Sequence, residues 1–290
     1  MKEEKHIEVL KTYKTYVGGN FPRTESGRYY KVFDNENNLI ANACLCSRKD
    51  LRDAVKAART AVKGWSSRSA YNRGQILYRI AEVLETQRGT FESDLIKTGF
   101  TAAEAKKDVN DAIDRLIYFA GWTDKYQQIF GSVNPVTSSY FNFSLQEPVG
   151  VAGIFAPEKS PLLGLVAVIA PVIAGGNTCV VLASEKFPLP AINFAEVLNS
   201  SDVPGGVVNI LTGTRDELAE HFSSHMDINA VFYTDKLPPE MAKKMDENAS
   251  LNVKRIIRKT VESWSTDTMK DPYSILDFQE TKTTWHPIGY

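Results

Sequence analysis

From residue 149 onward the chain alternates short apolar runs with helical stretches, and this alternation narrows the fold more than any other feature. The apolar runs are 149–155, 178–182, 207–211, 230–234 and 253–257, and the helical stretches lie near 162–174, 188–199, 215–224 and 238–247. Strands joined through helices pair in parallel, since a parallel neighbour needs a crossover, and such crossovers are right-handed in nearly all known cases. The expected fold is therefore α/β, a doubly wound parallel sheet with helices on both faces. A ligand of such a sheet lies off the carboxyl ends of its strands, where helix N-termini face it.

Upstream the periodicity is helical. Leu51, Val55, Ala58 and Val62, then Ile76, Leu77, Ile80, Val83 and Leu84, predict amphipathic helices over 48–64 and 72–87. A third runs over 98–118, with Ala103, Val109, Ile113, Leu116 and Ile117 as its apolar stripe. A chain of 290 residues is long enough to bury a full core. Its 34 basic and 35 acidic residues are interspersed, which leaves no electrostatic footprint for nucleic acid or an anionic membrane. The longest apolar run, 162–174, contains Gly164 and Pro171 and falls short of the roughly 20 residues of a spanning helix. Met1 to His6 lack the apolar stretch of a secretory signal, so a cytoplasmic protein is expected.

The segment 138–145 alternates polar and apolar residues as a strand with two unlike faces does, after a turn-like stretch from Gly131 to Thr137. An open strand edge is a template for another chain, which points to a homodimer; the alternative is pairing within the monomer. The three cysteines cannot all pair with one another. Cys179, in an apolar strand, reads as a buried thiol. Cys44 and Cys46 share a strand face but lack the second ligand pair of a zinc site, so no metal is expected.

Several segments resemble the aldehyde dehydrogenase superfamily. They are Glu147-Pro148-Val149-Gly150-Val151, the run 157–163, and Ala174-Gly175-Gly176-Asn177-Thr178 followed by Val180-Val181-Leu182. Phe119-Ala120-Gly121-Trp122-Thr123-Asp124-Lys125 precedes them and Val203-Pro204-Gly205-Gly206-Val207-Val208-Asn209 follows, in the family's order. The resemblance covers 14–260 and 275–286. It implies a Rossmann-like sheet and a protruding antiparallel β element for oligomerisation, to which 276–285 would contribute the final strand. The implied organisation is an N-terminal helical layer over 1–125, oligomerisation strands over 126–147, the Rossmann-like portion over 148–260, and a linker with the last strand over 261–290.

The family's chemistry is covalent: a cysteine thiolate attacks the aldehyde, an asparagine amide holds the oxyanion, hydride passes to NAD(P), and a glutamate activates water. Lys159 stands at the asparagine's position, and a solvated lysine is the expectation there. Lys259 stands at the glutamate's position; Glu262, three residues on, has no supporting motif. From there the chain passes within about fifteen residues to its terminal strand, too few for a catalytic domain, much as in the shortened second module of family 16 aldehyde dehydrogenases. Cys179 lacks a neighbour that would lower its thiol pKa.

For a cofactor, Ser184 and Glu185 match the family's adenosine-ribose run without its lysine, and Gly213 remains from the glycines after the third strand. Asp235 replaces the glycine of the pyrophosphate turn and reads as the N-cap of the helix after Pro238 or Pro239. Arg215 reads as a solvated charge at a helix start. The expectation is a non-catalytic scaffold or a partner of an active aldehyde dehydrogenase, with no cofactor. The alternatives are a module binding NAD, NADP or another adenine nucleotide with weakened affinity, and a dehydrogenase completed by another chain.

Overall fold

The computed structural model describes residues 9–265 and 267–289, so the N-terminal hexapeptide considered above lies outside the described residues. The first elements are β1 (Thr12–Tyr13), β2 (Tyr29–Phe33), β3 (Leu39–Cys44), α1 (Arg48–Ser66), α2 (Ala70–Thr86), α3 (Arg88–Lys97), α4 (Ala102–Trp122) and α5 (Tyr126–Phe130). Then come β4 (Ser132–Asn134), β5 (Tyr140–Pro148), β6 (Val151–Phe155), α6 (Leu163–Ala174), β7 (Thr178–Leu182), α7 (Leu189–Asn199), β8 (Val208–Leu211) and α8 (Arg215–Ser224). The chain continues through β9 (Ala230–Tyr233), α9 (Pro239–Ser250), β10 (Arg255–Arg258), α10 (Tyr273–Leu276) and β11 (Gln279–Pro287).

Five strands form the expected parallel sheet, in the order β10-β9-β6-β7-β8. The chain builds outward from β6 to β8 and then crosses back to β9, so the strand order reverses between β6 and β9. Each strand serves both faces. Val151 and Phe155 of β6, with Val180 and Leu182 of β7, pack under Leu51, Val55, Leu218 and Phe222 of α1 and α8. The intervening Ala152, Ile154, Cys179 and Val181 face the core built by α6, α7, α2 and α4. All twelve residues of α6 are buried, as a helix between the sheet and an outer helical layer must be. The Trp65 indole N–H donates to the Ile173 carbonyl at 3.0 Å and Arg73 Nε donates to the Ala174 carbonyl at 3.1 Å, satisfying the helix's last turn. On the other face α8 approaches closely: a β-carbon on Gly153 would sit 2.7 Å from the Phe222 ring.

The N-terminal segment is not helical throughout. β1, β3 and β2 form a three-stranded sheet before α1, with a hairpin turn in which Asp34 accepts from the backbone N–H groups of Glu36 and Asn38 and Asn37 takes a φ of 66°. The aromatic and β-branched residues of Tyr29-Tyr30-Lys31-Val32-Phe33 and the Asp/Asn-rich turn carry that signal. The expected helix over 98–118 begins instead at Ala102, where Thr101 and Glu104 close a capping box. The last parallel strand begins at Arg255 and not at 253, because Val253 has a φ of 56° and belongs to the turn.

The remaining strands form an antiparallel sheet, β11-β5-β4. β5 pairs with β11 from Pro148↔Gln279 to Tyr140↔Pro287 and with β4 from Ser144↔Ser132 to Asn142↔Asn134. The expected open edge at 138–145 is therefore the middle of a sheet within the chain, and the long edge belongs to β11. Among the described residues no helix is long and apolar enough to cross a membrane.

Candidate functional site

The reversal between β6 and β9 marks the crevice where a doubly wound sheet holds ligands. Four loops converge there: 156–162 after β6, 183–188 after β7, 212–214 after β8 and 234–238 after β9. The crevice is bridged by the chain's own side chains. The Glu158 backbone N–H donates to Asp235 Oδ2 at 3.1 Å, across the point of reversal. Arg215, at the start of α8, donates from Nη2 to the same Asp235 oxygen at 2.5 Å and to the Ala156 carbonyl at 2.7 Å, and it pairs with Glu158 Oε1 at 3.2 Å.

The Glu158 carboxylate reaches over the end of β7. Oε2 accepts from Ser184 Oγ at 2.7 Å and from the Lys186 N–H at 3.3 Å, while Oε1 accepts from the Glu185 N–H at 3.1 Å. Ser184 Oγ also accepts from the Phe187 N–H at 3.0 Å, which closes a tight turn over 184–187. Glu185 Oε2 accepts from the Arg215 backbone N–H at 3.3 Å. Ser184, Glu185, Asp235, Arg215 and Glu158 thus form one cluster. Tyr30 stands beside it: burial, then the neighbouring Cys46, Glu185 and Glu158, push its phenol up, and its buried hydroxyl has no hydrogen-bond partner.

Two expectations are corrected here. Asp235 caps no helix, because the N-cap of α9 is Pro238 and makes no side-chain cap bond; its carboxylate is taken by Arg215 and by the Glu158 N–H. Arg215 is not a solvated charge, since its side chain is only 14% exposed and lies between two carboxylates. Gly213 has a φ of 150°, and a β-carbon there would meet the Cys46 backbone N at 3.3 Å; close chain approach accounts for it. Glu158 and Tyr30 were not singled out from sequence, although Glu158 follows a strand end at the reversal point, which is a legible position.

The two lysines at the family's reacting positions lie apart. Lys159 is exposed and lines a cavity of about 220 Å³ with Phe100, Asp108, Ser160 and Trp264. Asp108, 8% exposed, is pushed up to about 7, chiefly by burial, and accepts from the Leu163 N–H at the start of α6 at 3.1 Å. Lys259 lines a cavity of about 560 Å³ with Tyr233, Asp235, Lys236 and Arg258, is ion-paired with Asp277, and donates to Ser274 Oγ at 3.4 Å. Glu262 is exposed on the segment after β10. All three cysteines are buried free thiols, and burial pushes Cys46 and Cys179 well above the ordinary thiol range. Cys46 and Cys179 therefore lack the thiolate character that covalent catalysis requires.

A dinucleotide does not fit this crevice as it stands. The donors after β7 that a ribose or phosphate oxygen would use already serve Glu158, and the loop after β9 carries a carboxylate held by Arg215.

The aldehyde dehydrogenase family profile matches residues 22–260. Cytosolic aldehyde dehydrogenase 1 of Elephantulus edwardii is 33% identical over 260 residues, which cover 87% of this chain and 50% of that protein. Human aldehyde dehydrogenase 1A1 is 34% identical over 256 residues, covering 84% of this chain and 49% of that protein. The NAD+ complex of aldehyde dehydrogenase from Bacillus cereus superposes with a TM-score of 0.80 at 26% identity, over 85% of this chain and 50% of that one. The chain spans about half the length of these relatives, and over that half both sequence and fold agree. On this evidence the chain belongs to the aldehyde dehydrogenase family.

Proposed function

We propose that this protein is a non-catalytic member of the family that acts as a scaffold subunit, associating with a second copy of itself through the antiparallel sheet. The observation that carries the reading is the inside-out pattern of β5. Asn142, Ser144 and Gln146 are 2%, 7% and 7% exposed, whereas Phe141 and Leu145 on the opposite face are 44% and 42% exposed. Phe143 and, on β4, Val133 share that outward face by register. An apolar sheet face next to an unpaired edge strand is the surface that a second copy covers most economically. The cationic Lys159 and Lys259 support the non-catalytic half of the reading. Lys159 lacks the fixed planar donor of an asparagine amide, and Lys259, committed to Asp277, cannot accept a proton from water.

The test pairs molar mass in solution with aldehyde-dependent NAD(P)H formation by the purified chain. A dimer that becomes monomeric in Phe141→Asp, with no reductant formed by either protein, is expected. A wild-type monomer removes the scaffold, and turnover of an aldehyde removes the non-catalytic reading.

A further inference from the structure

α8 begins at the crevice with Arg215 and ends, ahead of β9, beside the first turns of α1. Between these two helix ends lies a separate cavity of about 300 Å³, at the lower end of the range for ligand cavities. We propose that this cavity binds a small, multiply charged phosphate anion of the diphosphate kind, whether or not the chain is catalytic.

Both walls are basic. Arg48, Lys49 and Arg52 come from α1, and His221, Ser224 and His225 from the end of α8; no carboxylate of the described residues lines the space. Acidic and basic residues balance almost one to one over the whole chain, so a concavity of one sign is a departure, and a concave surface concentrates the field of its charges. The walls are also fixed. Leu51 of α1 lies beneath the cavity and packs in one core with Phe222 of α8.

The neighbouring carboxylates are committed elsewhere. The two Asp50 oxygens accept from the Glu25 N–H at 2.8 Å and the Ser47 N–H at 2.7 Å, and Asp227 pairs with Arg59 at 3.7 Å. Arg48 and His221 have no hydrogen-bond or ion-pair partner among the described residues. Lys49 pairs with Glu25 at 2.8 Å and Arg52 with Asp53 at 2.9 Å, but all four side chains are at least half exposed, and ion pairs open to water are weak enough for an incoming dianion to replace. His225 Nδ1 accepts from the Asp227 N–H at 3.2 Å, so the ring proton stands on Nε2, where it is free to donate.

The spacing favours two phosphates over one. Arg48 and Arg52 stand one turn apart on α1, and His221 and His225 one turn apart at the end of α8, so donors come at two levels separated by roughly 6 Å. A guanidinium holds phosphate oxygens with a pair of parallel hydrogen bonds. Two tetrahedral groups joined through one oxygen reach both levels, whereas a single phosphate serves one.

The experiment measures binding of inorganic pyrophosphate, phosphate and sulfate to the full chain by calorimetry at fixed ionic strength, with the thermal transition as a check on folding. Pyrophosphate is expected to bind once per chain and about tenfold tighter than phosphate or sulfate, the gain from one further charge-assisted contact. Arg48→Gln and Arg52→Gln should each weaken it about tenfold for the same reason. Ser224→Glu, which adds a carboxylate and removes no cation, should abolish binding, and it carries the comparison if an arginine variant fails to fold. Lys63→Gln, the same loss of charge in the last turn of α1, should leave the affinity unchanged. The proposal is overturned if wild type takes up no pyrophosphate at millimolar concentration, if phosphate binds as tightly as pyrophosphate, or if Lys63→Gln weakens binding as much as Arg48→Gln.

Discussion

The molecule contains two sheets that treat apolar residues in opposite ways. β6 is buried at every position, and its alternate side chains fill two cores, one on each face. β5, which follows directly before it in the chain, buries its polar positions and exposes its apolar ones. A single chain obeys the inside-out rule in one strand and inverts it in another, with only Val149 and Gly150 between them. The first sheet is finished by its own helices. The second leaves Phe141 and Leu145 open to water, the face that the proposed second copy would cover.

The largest expected effect breaks that comparison directly. An aspartate at position 181, in the centre of the parallel sheet, would bury a charge with no partner at a cost of about 4 kcal/mol or more, a large share of a typical domain's stability. Val181→Asp should give no cooperative thermal transition and little soluble protein. The same charge at Phe141 should leave the chain's own stability within about 0.5 kcal/mol under dilute conditions, since the position is open to water. Equal damage from both substitutions would mean that the two sheets are buried alike.

A second effect concerns how the parallel sheet gets its cover. Asp108 holds the first turn of α6 from the neighbouring helix α4, and burial raises its carboxyl from 3.8 to about 7. With a folded-state value above the unfolded one, its contribution is fully present below about pH 4 and is lost as pH rises through 7. At pH 8 wild type therefore carries a buried charge that Asp108→Asn lacks while keeping an acceptor for the Leu163 N–H. The variant should be more stable at pH 8 by up to about 4 kcal/mol, and the advantage should vanish near pH 4. Denaturant unfolding at the two pH values checks it, and an equal advantage at both would show that the carboxyl stays charged throughout.

The parallel sheet was legible in the sequence because its signal is local: each strand is a short apolar run and each crossover has helical periodicity, and the observed strands lie within two residues of those runs. Boundaries moved where a cap or a turn decided them, as at Thr101 and Val253. The outer sheet was half legible. Alternation located β5, but the same alternation could not say which face is covered, or that β4 and β11 flank it, since pairing partners 139 residues apart leave no mark on a local window. The crevice was legible by position and not by contact. Ser184, Glu185 and Asp235 came one at a time from the resemblance to the family's cofactor runs, whereas the bonds uniting them run through Glu158 and Arg215 from other strand ends. A helix-start arginine reads as solvated until the fold places two carboxylates around it.

A smaller effect sharpens the account of the finished sheet. Gly153 lies on β6 where α8 presses the Phe222 ring against the strand, and a β-carbon would stand 2.7 Å from that ring. Gly153→Ala forces the ring or the helix outward and should cost about 1–3 kcal/mol, the usual range for overpacking. Val or larger at this position should cost more. A neutral Gly153→Ala would show that α8 can move away from the sheet, and the tight cover on this face would then be no more constrained than the open face of β5.

The smallest effect tests the unfinished sheet from its polar side. Ser144 Oγ accepts from Asn134 Nδ2 at 2.9 Å and lies 2.8 Å from Thr283 Oγ1, so one hydroxyl ties β5 to both of its neighbours. Asn134 keeps its bond to Asn142 Oδ1 at 2.6 Å without it, and Thr283, exposed on β11, can turn to water. Ser144→Ala should therefore cost only about 1 kcal/mol, the net value of a hydrogen bond whose partners are not stranded. Its effect on self-association separates two ways of covering the sheet. If the second copy sits on the apolar face, loss of a hydroxyl on the opposite face leaves the dimer intact. If dimer formation instead follows the alignment of the β11 edge, which this hydroxyl helps to hold, the dimer weakens in step with the sheet, and Phe141→Asp would then do no more damage than Ser144→Ala.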